Sequence, residues 1–168
     1  FLGDLHLHFD ANRLLLSSIG ANGAWQVFEM SVDGTRLRHV TPGKDTDIDS
    51  YEGVYLPDER IIFTSSTGFQ GVPCVSGKDY VGNLHVMNPD GTAVRRLTFE
   101  QDNNWCPTLT YDGRVMYLRW EYTDSAHYFS RVLMRMNPDG TGQSELYGSE
   151  SYWPNAVFYA RPLPCSPT

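Results

Sequence analysis

A six-residue motif that recurs along the chain constrains the fold more than any other feature. Met87–Thr92 reads Met-Asn-Pro-Asp-Gly-Thr, Met136–Thr141 repeats it, and Met30–Thr35 is a related copy with Ser-Val in place of Asn-Pro. Proline presets the first turn position, aspartate bonds its own downstream backbone, and glycine supplies a positive φ. Each copy therefore predicts a hairpin turn. An apolar residue follows the aspartate of each copy by seven positions, at Val40, Leu97 and Leu146.

A second element recurs between these turns and fixes the length of the repeating unit. An arginine that follows a turn and precedes an apolar run occurs at Arg13, Arg60 and Arg114, so that successive arginines are 47 and 54 residues apart. A unit of about 50 residues with several short strands is typical of a β-propeller blade. We therefore predict an all-β fold, a β-propeller segment of about three four-stranded blades, with residues 1–168 divided into blades 4–54, 55–108 and 109–164.

Charge and hydropathy limit the class of partner. The chain carries 13 Lys and Arg against 20 Asp and Glu, a formal net charge of -7, and 40% hydrophobic residues. We expect no nucleic-acid partner, because phosphate backbones are bound by basic surfaces. No apolar run approaches the roughly 20 residues of a membrane span, so we expect none. The chain begins at Phe1 without an initiator Met, and we interpret it as a piece of a longer protein.

Two sets of residues carry a resemblance to known families. The run from Asn88 through Thr98, then Trp105, Pro107 and Tyr111–Val115, resembles the WD-repeat-like blade of the Tol-system periplasmic propeller. A more specific set comprises Phe69–Cys74, Arg119–Asp124, His127–Arg131, Tyr147–Ser149, Ser151–Asn155 and Phe158–Pro162. This set looks like the middle domain of the hydrazine synthase alpha subunit, and the resemblance covers most of the chain from about Asp4 to Pro164.

The resemblance implies a function as a scaffold. In the hydrazine synthase family the middle domain is a propeller, and neighbouring domains with Cys-x-x-Cys-His motifs carry the haem chemistry. This chain has no such motif at Cys74, Cys106 or Cys165. We therefore expect a structural and interaction module, in the periplasm or another extracytoplasmic compartment, that docks haem-bearing domains or subunits. The rest of the parent polypeptide or a second copy would complete the propeller, and haem would enter only through those neighbours.

Two alternatives of other classes stay open. One is a Tol-type periplasmic propeller that binds a peptide in its channel. The other is a metal-dependent enzyme, because Asp4-Leu5-His6-Leu7-His8-Phe9-Asp10 alternates strictly and predicts a strand with His6, His8 and Asp10 on one face. Two imidazoles that converge from one side suit zinc, iron or manganese. The other interpretation of this strand is a plain propeller strand with one polar face.

Two loops offer weaker sites. Asp45, Asp47 and Asp49 suggest an irregular calcium site, although Ser50 and Leu56 stand where an EF-hand has Gly and Glu. The other interpretation of these aspartates is a solvated acidic loop. Cys74 lies in a loop rich in Gly, Pro and Ser, where it is either a thiolate that helps complete a metal site in another domain or a small buried apolar residue.

Aromatic residues are dense near the C-terminus, beyond what the core of one blade requires. Given the resemblance, we interpret them as a docking surface for a neighbouring domain, with blade core as the alternative. The interface residues that we predict are Trp120, Tyr122, His127, Tyr128, Phe129, Tyr152 and Trp153.

Overall fold

The chain folds into three β-sheets. The twelve strands of the described part of the chain form three four-stranded antiparallel sheets, and this part contains no helix. The all-β prediction is therefore confirmed. No helix in that part is long and apolar enough to cross a membrane. The computed structural model describes residues 1–43, 47–72, 75, 79–121, 130–148 and 153–163.

Each sheet is a meander in which every strand pairs with its neighbours in sequence. The first sheet contains β1 (Leu2–Leu7), β2 (Arg13–Ile19), β3 (Trp25–Ser31) and β4 (Arg38–His39). The second contains β5 (Ser50–Tyr55), β6 (Ile61–Ser65), β7 (Asn83–Met87) and β8 (Arg95–Arg96). The third contains β9 (Asn104–Leu109), β10 (Val115–Trp120), β11 (Arg131–Met136) and β12 (Ser144–Tyr147). The predicted divisions between residues 54 and 55 and between residues 108 and 109 fall before the last residue of β5 and of β9, whereas the structure begins the second and third sheets with these strands.

The three Asp-Gly-Thr turns connect the third and fourth strands of their sheets, so the hairpin prediction is confirmed. Asp90 Oδ1 accepts hydrogen bonds from the backbone N–H (3.0 Å) and the hydroxyl (2.6 Å) of Thr92. Asp33 and Asp139 accept the same pair of bonds. We call this side of the molecule, with β4, β8 and β12, the outer edge, and the side with β1, β5 and β9 the inner edge.

Two apolar layers hold the sheets together, because consecutive sheets pack face to face in chain order. Burial of each such side chain contributes about 1.5–3 kcal/mol. The layer between the first and second sheets contains Leu15, Val27, Val40, Tyr55, Ile61, Phe63 and Met87. The layer between the second and third contains Leu56, Ile62, Leu84, Val86, Leu97, Val115, Tyr117, Val132, Met134 and Met136.

Candidate functional site

Each inner strand contains a β-bulge at the same place. The register of β1 against β2 shifts between Gly3 and His6, and equivalent shifts occur in β5 and β9. The first bulge residue is Asp4, Glu52 or Cys106, with φ of 54°, 56° and 52°. Left-handed backbone is unfavourable for residues other than glycine and clusters at functional sites. The inner edge therefore repeats a strained backbone that carries a chemically active side chain in each sheet.

The bulge residues of the second and third sheets are bonded to each other. The backbone N–H of Cys106 donates to Glu52 Oε2 (2.8 Å), and the Thr64 hydroxyl donates to the same oxygen (3.0 Å). The Cys106 thiol donates to Glu52 Oε1 at 3.5 Å. The Glu52 carboxyl therefore links two sheets at the inner edge.

Burial dominates the acid-base properties of this pair. Glu52 is only 9% exposed, and burial raises the pKa of its carboxyl although its hydrogen bonds with Cys106 and Thr64 oppose the shift. Burial, followed by the Glu52 charge, raises the pKa of the Cys106 thiol to about 12. The thiol is therefore protonated at neutral pH and does not supply a thiolate nucleophile.

The segment 153–163 continues the inner edge beyond the third sheet. Ala156 forms a parallel bridge with Arg131, whose backbone N–H donates to the Asn155 carbonyl (3.0 Å). Tyr159 has a φ of 52°, and its backbone N–H bonds to the Cys106 thiol. Of the four positive-φ positions at the inner edge, the last three each follow an aromatic residue, in the pairs Tyr51-Glu52, Trp105-Cys106 and Phe158-Tyr159.

These residues surround a cavity of about 820 Å³ at the inner edge. Its lining combines aromatic rings with Asp4, His6, Glu52, Cys106 and Arg161. Burial, with Arg161 and His8 nearby, lowers the pKa of His6 to about 4, so that its ring is neutral at physiological pH. A cavity that combines apolar walls, a few polar groups and perturbed pKa values is the preferred candidate for a ligand site.

The predicted strand through Asp10 is wrong in its length. β1 ends at Leu7, because Ala11 adopts a positive φ of 57° and Asp10 Oδ1 accepts a hydrogen bond from the Asn12 N–H (2.8 Å). These features form a turn after His8. The bulge at Asp4 also interrupts the strict alternation that the sequence suggests.

The two histidines face the second sheet, where they pack on Tyr55. The ring centroids of His8 and Tyr55 are 4.6 Å apart, and those of His6 and Tyr55 are 5.9 Å apart. His8 Nε2 lies 2.9 Å from Arg13 Nη2 and 3.2 Å from Glu59 Oε1. Within the described residues, no three His, Cys, Asp or Glu side chains form a group that could hold a metal ion. The metal site stays a prediction, since Cys74 lies outside them.

The remaining predicted residues are only partly covered by the structure. Asp45, Tyr122, His127, Tyr128, Phe129 and Tyr152 lie outside the described residues. Asp49 Oδ1 accepts a hydrogen bond from the Trp25 N–H (2.8 Å) and so joins the first two sheets, whereas Asp47 lies on the exposed surface. The calcium site and the predicted interface stay predictions.

An aromatic cluster forms around Arg131. Its guanidinium lies 4.6 Å from the ring centroid of Trp120 and 5.8 Å from that of Trp105. The two indoles are stacked with centroids 6.2 Å apart, and Phe158 lies 6.4 Å from Trp105. Trp120 is thus packed within the molecule, whereas Trp153 is 82% exposed. The sequence gives no sign that Trp105 belongs to this cluster, because it lies 15 positions before Trp120 on another strand.

Solved structures share this fold. A TolB-type protein from Agrobacterium tumefaciens matches with a TM-score of 0.65 and 18% identity, over 84% of this chain and 47% of that one. Kuenenia stuttgartiensis hydrazine synthase matches with a TM-score of 0.73 and 17% identity, over 87% of this chain and 25% of that one. A puromycin hydrolase matches with a TM-score of 0.63 and 13% identity, over 95% of this chain and 24% of that one.

These comparisons define the class of fold, a TolB-like β-propeller, of which the three sheets are blades. The chain spans between about a quarter and a half of the length of these structures. No family model and no curated protein matches the sequence.

Proposed function

We propose that the chain is an interaction scaffold, the propeller middle domain of a periplasmic protein similar to the hydrazine synthase alpha subunit. Haem-bearing domains or subunits would dock on it. The match to hydrazine synthase over 87% of this chain but only 25% of that one supports a place within a larger assembly. The chain has no Cys-x-x-Cys-His motif, so haem would belong to the docked partner.

The observation that carries this proposal is the exposure of aromatic side chains in segment 153–163. Trp153 is 82% exposed, Phe158 52% and Tyr159 60%. Large aromatic rings are enriched at the centres of protein interfaces, where they supply most of the binding energy. Phe158 and Tyr159 line the cavity at the inner edge, so a domain docked on them would cover that cavity.

The test is retention of a separate haem-bearing subunit by the parent protein, purified through an affinity tag placed in this chain. We expect haem to co-purify with the wild type, measured as a pyridine haemochrome. The double variant Trp153→Ala and Phe158→Ala should lose at least about fivefold of that haem, because interface aromatics contribute about 2 kcal/mol or more each. Tyr111→Ala, at an exposed residue in the turn between β9 and β10, is the control and should retain it. Equal retention in both variants, or a wild type without haem, would refute the proposal.

The cavity favours a second candidate, a propeller that binds a peptide in its channel. Asp4 and Glu52 lie among aromatic walls, which suits a basic or N-terminal amine group of an extended peptide. Calorimetry with a lysine-containing peptide and its glutamate counterpart distinguishes this candidate. Binding of the lysine peptide alone, weakened by Asp4→Asn, would support it, and no binding of either peptide would exclude it.

A further inference from the structure

The first sheet has a face that is structurally equivalent to the buried faces of the second and third sheets, each of which packs on the sheet before it. Strand register aligns one row of three residues in each sheet, with one residue from each of the first three strands. These rows are Leu7, Leu14 and Met30 in the first sheet, Tyr55, Ile61 and Met87 in the second, and Leu109, Val115 and Met136 in the third. All nine residues are apolar or aromatic, so the three faces share one surface chemistry.

Coverage by a preceding sheet distinguishes the three faces. Tyr55, Ile61 and Met87 are buried because the first sheet packs on them, and Val115 and Met136 are buried against the second sheet. Leu7, by contrast, is 54% exposed. We call the row Leu7, Leu14 and Met30, with its neighbour Phe28, the first-sheet face.

The turn glycines show the same difference. A Cβ on Gly91 would lie 2.6 Å from the Val40 carbonyl oxygen, and one on Gly140 would lie 3.2 Å from the Leu97 carbonyl oxygen. Each contact is made with the preceding sheet. A Cβ on the equivalent Gly34 would meet only the Met30 side chain, at 3.9 Å. The preceding sheet therefore fills the space beside Gly91 and Gly140, whereas the equivalent space beside Gly34 is open.

An arginine on the fourth strand of each preceding sheet completes the contact. Arg38 Nη1 donates to the Pro89 carbonyl (3.0 Å), and Arg95 Nη2 donates to the Asp139 carbonyl (3.1 Å). Both carbonyls belong to the turn of the next sheet. Among the described residues, no arginine donates to the corresponding carbonyls of Val32 and Asp33. The Val32 and Asp33 carbonyls of the first turn are thus equivalent to the Pro89 and Asp139 carbonyls, which accept a hydrogen bond from an arginine in the other two turns.

We infer that the first-sheet face docks a further propeller blade that carries an arginine at the position of Arg38 and Arg95. This inference rests on the proposed scaffold function and names the partner of one surface. The blade would place a backbone carbonyl against Gly34 and its guanidinium on the turn carbonyls of Val32 or Asp33. The added blade is therefore recognised by the three contacts that join the sheets of this chain: the apolar row, the carbonyl against the turn glycine, and the arginine on the turn carbonyl.

A second copy of the chain does not fit this description. The third sheet has Ser144 at the position of the arginine. Its free face is partly covered by segment 153–163, because Phe158 packs on Trp105 and Ala156 bridges to Arg131. The third sheet of one copy would therefore meet the first-sheet face of another without the arginine and with a surplus segment between them.

The test is a tandem chain in which a copy of residues 50–102, which includes Arg95, is placed directly before Phe1. Residue 50 is equivalent to residue 2, so the junction keeps the register of the inner strands. We expect a higher Tm than that of the natural chain and lower fluorescence of a bound apolar dye. Arg95→Ala in the added copy should remove part of the gain in Tm. Arg60→Ala in the same copy is the control, because Arg60 bonds Asp58 within its own blade.

Gly34→Ala provides the sharper measurement, with Gly113→Ala as its control. Both glycines have a positive φ and no close neighbour, so the two variants should lower the Tm of the natural chain equally. In the tandem chain, the fall caused by Gly34→Ala should become at least about twice that caused by Gly113→Ala, because the added blade would contact the new methyl group.

Three results would overturn the inference. The first is an equal fall for both glycine variants in the tandem chain, and the second is a tandem chain that aggregates or gains no stability. The third is sedimentation of the natural chain as a dimer that Leu7→Asp dissociates, since a second copy would then occupy the face. Failure of haem retention by the parent protein would refute the proposed function and leave these results unchanged.

Discussion

The inner and outer edges of the three sheets repeat in different ways. At the outer edge both the backbone and the side chains recur, since each turn has the same Asp-Gly-Thr residues and the same pair of hydrogen bonds. At the inner edge only the backbone recurs, because the equivalent bulges carry Asp4, Glu52 and Cys106. The outer edge therefore repeats the same local structure in each sheet, and the inner edge is where the sheets differ in chemistry.

Gly91→Ala tests the structural role of the outer edge, with the largest expected effect. The new Cβ would lie 2.6 Å from the Val40 carbonyl oxygen, at a φ of 81°. We expect a loss of about 3 kcal/mol in the free energy of unfolding, measured by urea denaturation. Gly113→Ala has the same φ and open space, so it should lose only about 1 kcal/mol. Equal losses would mean that the sheets do not depend on close contact at this turn.

Glu52→Ala tests the inner edge and should have the next largest effect. The substitution leaves the Cys106 N–H and the Thr64 hydroxyl without their acceptor in a buried place. We expect a loss of about 2 kcal/mol in urea denaturation. Glu52→Gln keeps an acceptor oxygen and should lose less than half as much. A loss as large for Gln as for Ala would show that the charge, and not the hydrogen bonds, holds the two bulges together.

The pH dependence of stability follows from the raised pKa of Glu52. A carboxyl whose pKa is higher in the folded state favours folding when protonated, and this contribution is lost as pH rises through the folded-state pKa. Between pH 4.5 and neutrality, the wild type should therefore lose stability relative to Glu52→Gln. Urea midpoints of the two proteins across this range measure the difference, and parallel profiles would contradict the assignment.

Cys106 should react slowly with iodoacetamide at pH 8. Its raised pKa leaves little thiolate, and the side chain is buried. We expect a rate at least about tenfold below that of the same cysteine in urea, followed by mass spectrometry of its peptide. Glu52→Gln should increase the rate, because the Glu52 charge raises this pKa. A rate equal to that in urea would mean that the inner edge opens readily.

The smallest effect should come from the outer turns. Asp33→Ala, Asp90→Ala and Asp139→Ala each remove the same two hydrogen bonds from an exposed carboxylate. We expect three equal falls in Tm, each smaller than that of Gly113→Ala, because exposed hydrogen bonds compete with water. Thermal unfolding monitored by circular dichroism measures them. Unequal falls would show that the turns do not perform the same role in each sheet.

The outer edge could be predicted from the sequence, whereas the inner edge could not. Asp-Gly-Thr turns are encoded locally, since Asp90 bonds a residue two positions away, and their spacing revealed the repeating unit. A bulge depends on pairing with another strand, and the link between Glu52 and Cys106 joins residues 54 positions apart. No local pattern reports such a contact. The equivalence of Asp4, Glu52 and Cys106 emerges only when the strands are placed in register.

The predicted strand through Asp10 was too long for a related reason. Alternation predicted a strand through Asp10, but alternation describes only which side chains share a face and says nothing of where pairing ends. The turn at Ala11 and the bulge at Asp4 are set by pairing with β2. The aromatic cluster was found in part, because Trp120 belongs to it, whereas Trp105 comes from a different strand.

The meander order of the strands has a consequence for how the protein is made. Every strand pairs only with its neighbours in sequence, so each sheet draws its hydrogen-bonding partners from a single stretch of the chain. Such short-range pairing allows a sheet to form soon after its residues leave the ribosome, before the next sheet is synthesised. The apolar row Tyr55, Ile61 and Met87 then emerges beside a finished surface that can cover it. Synthesis in this direction limits the time for which each new face can aggregate.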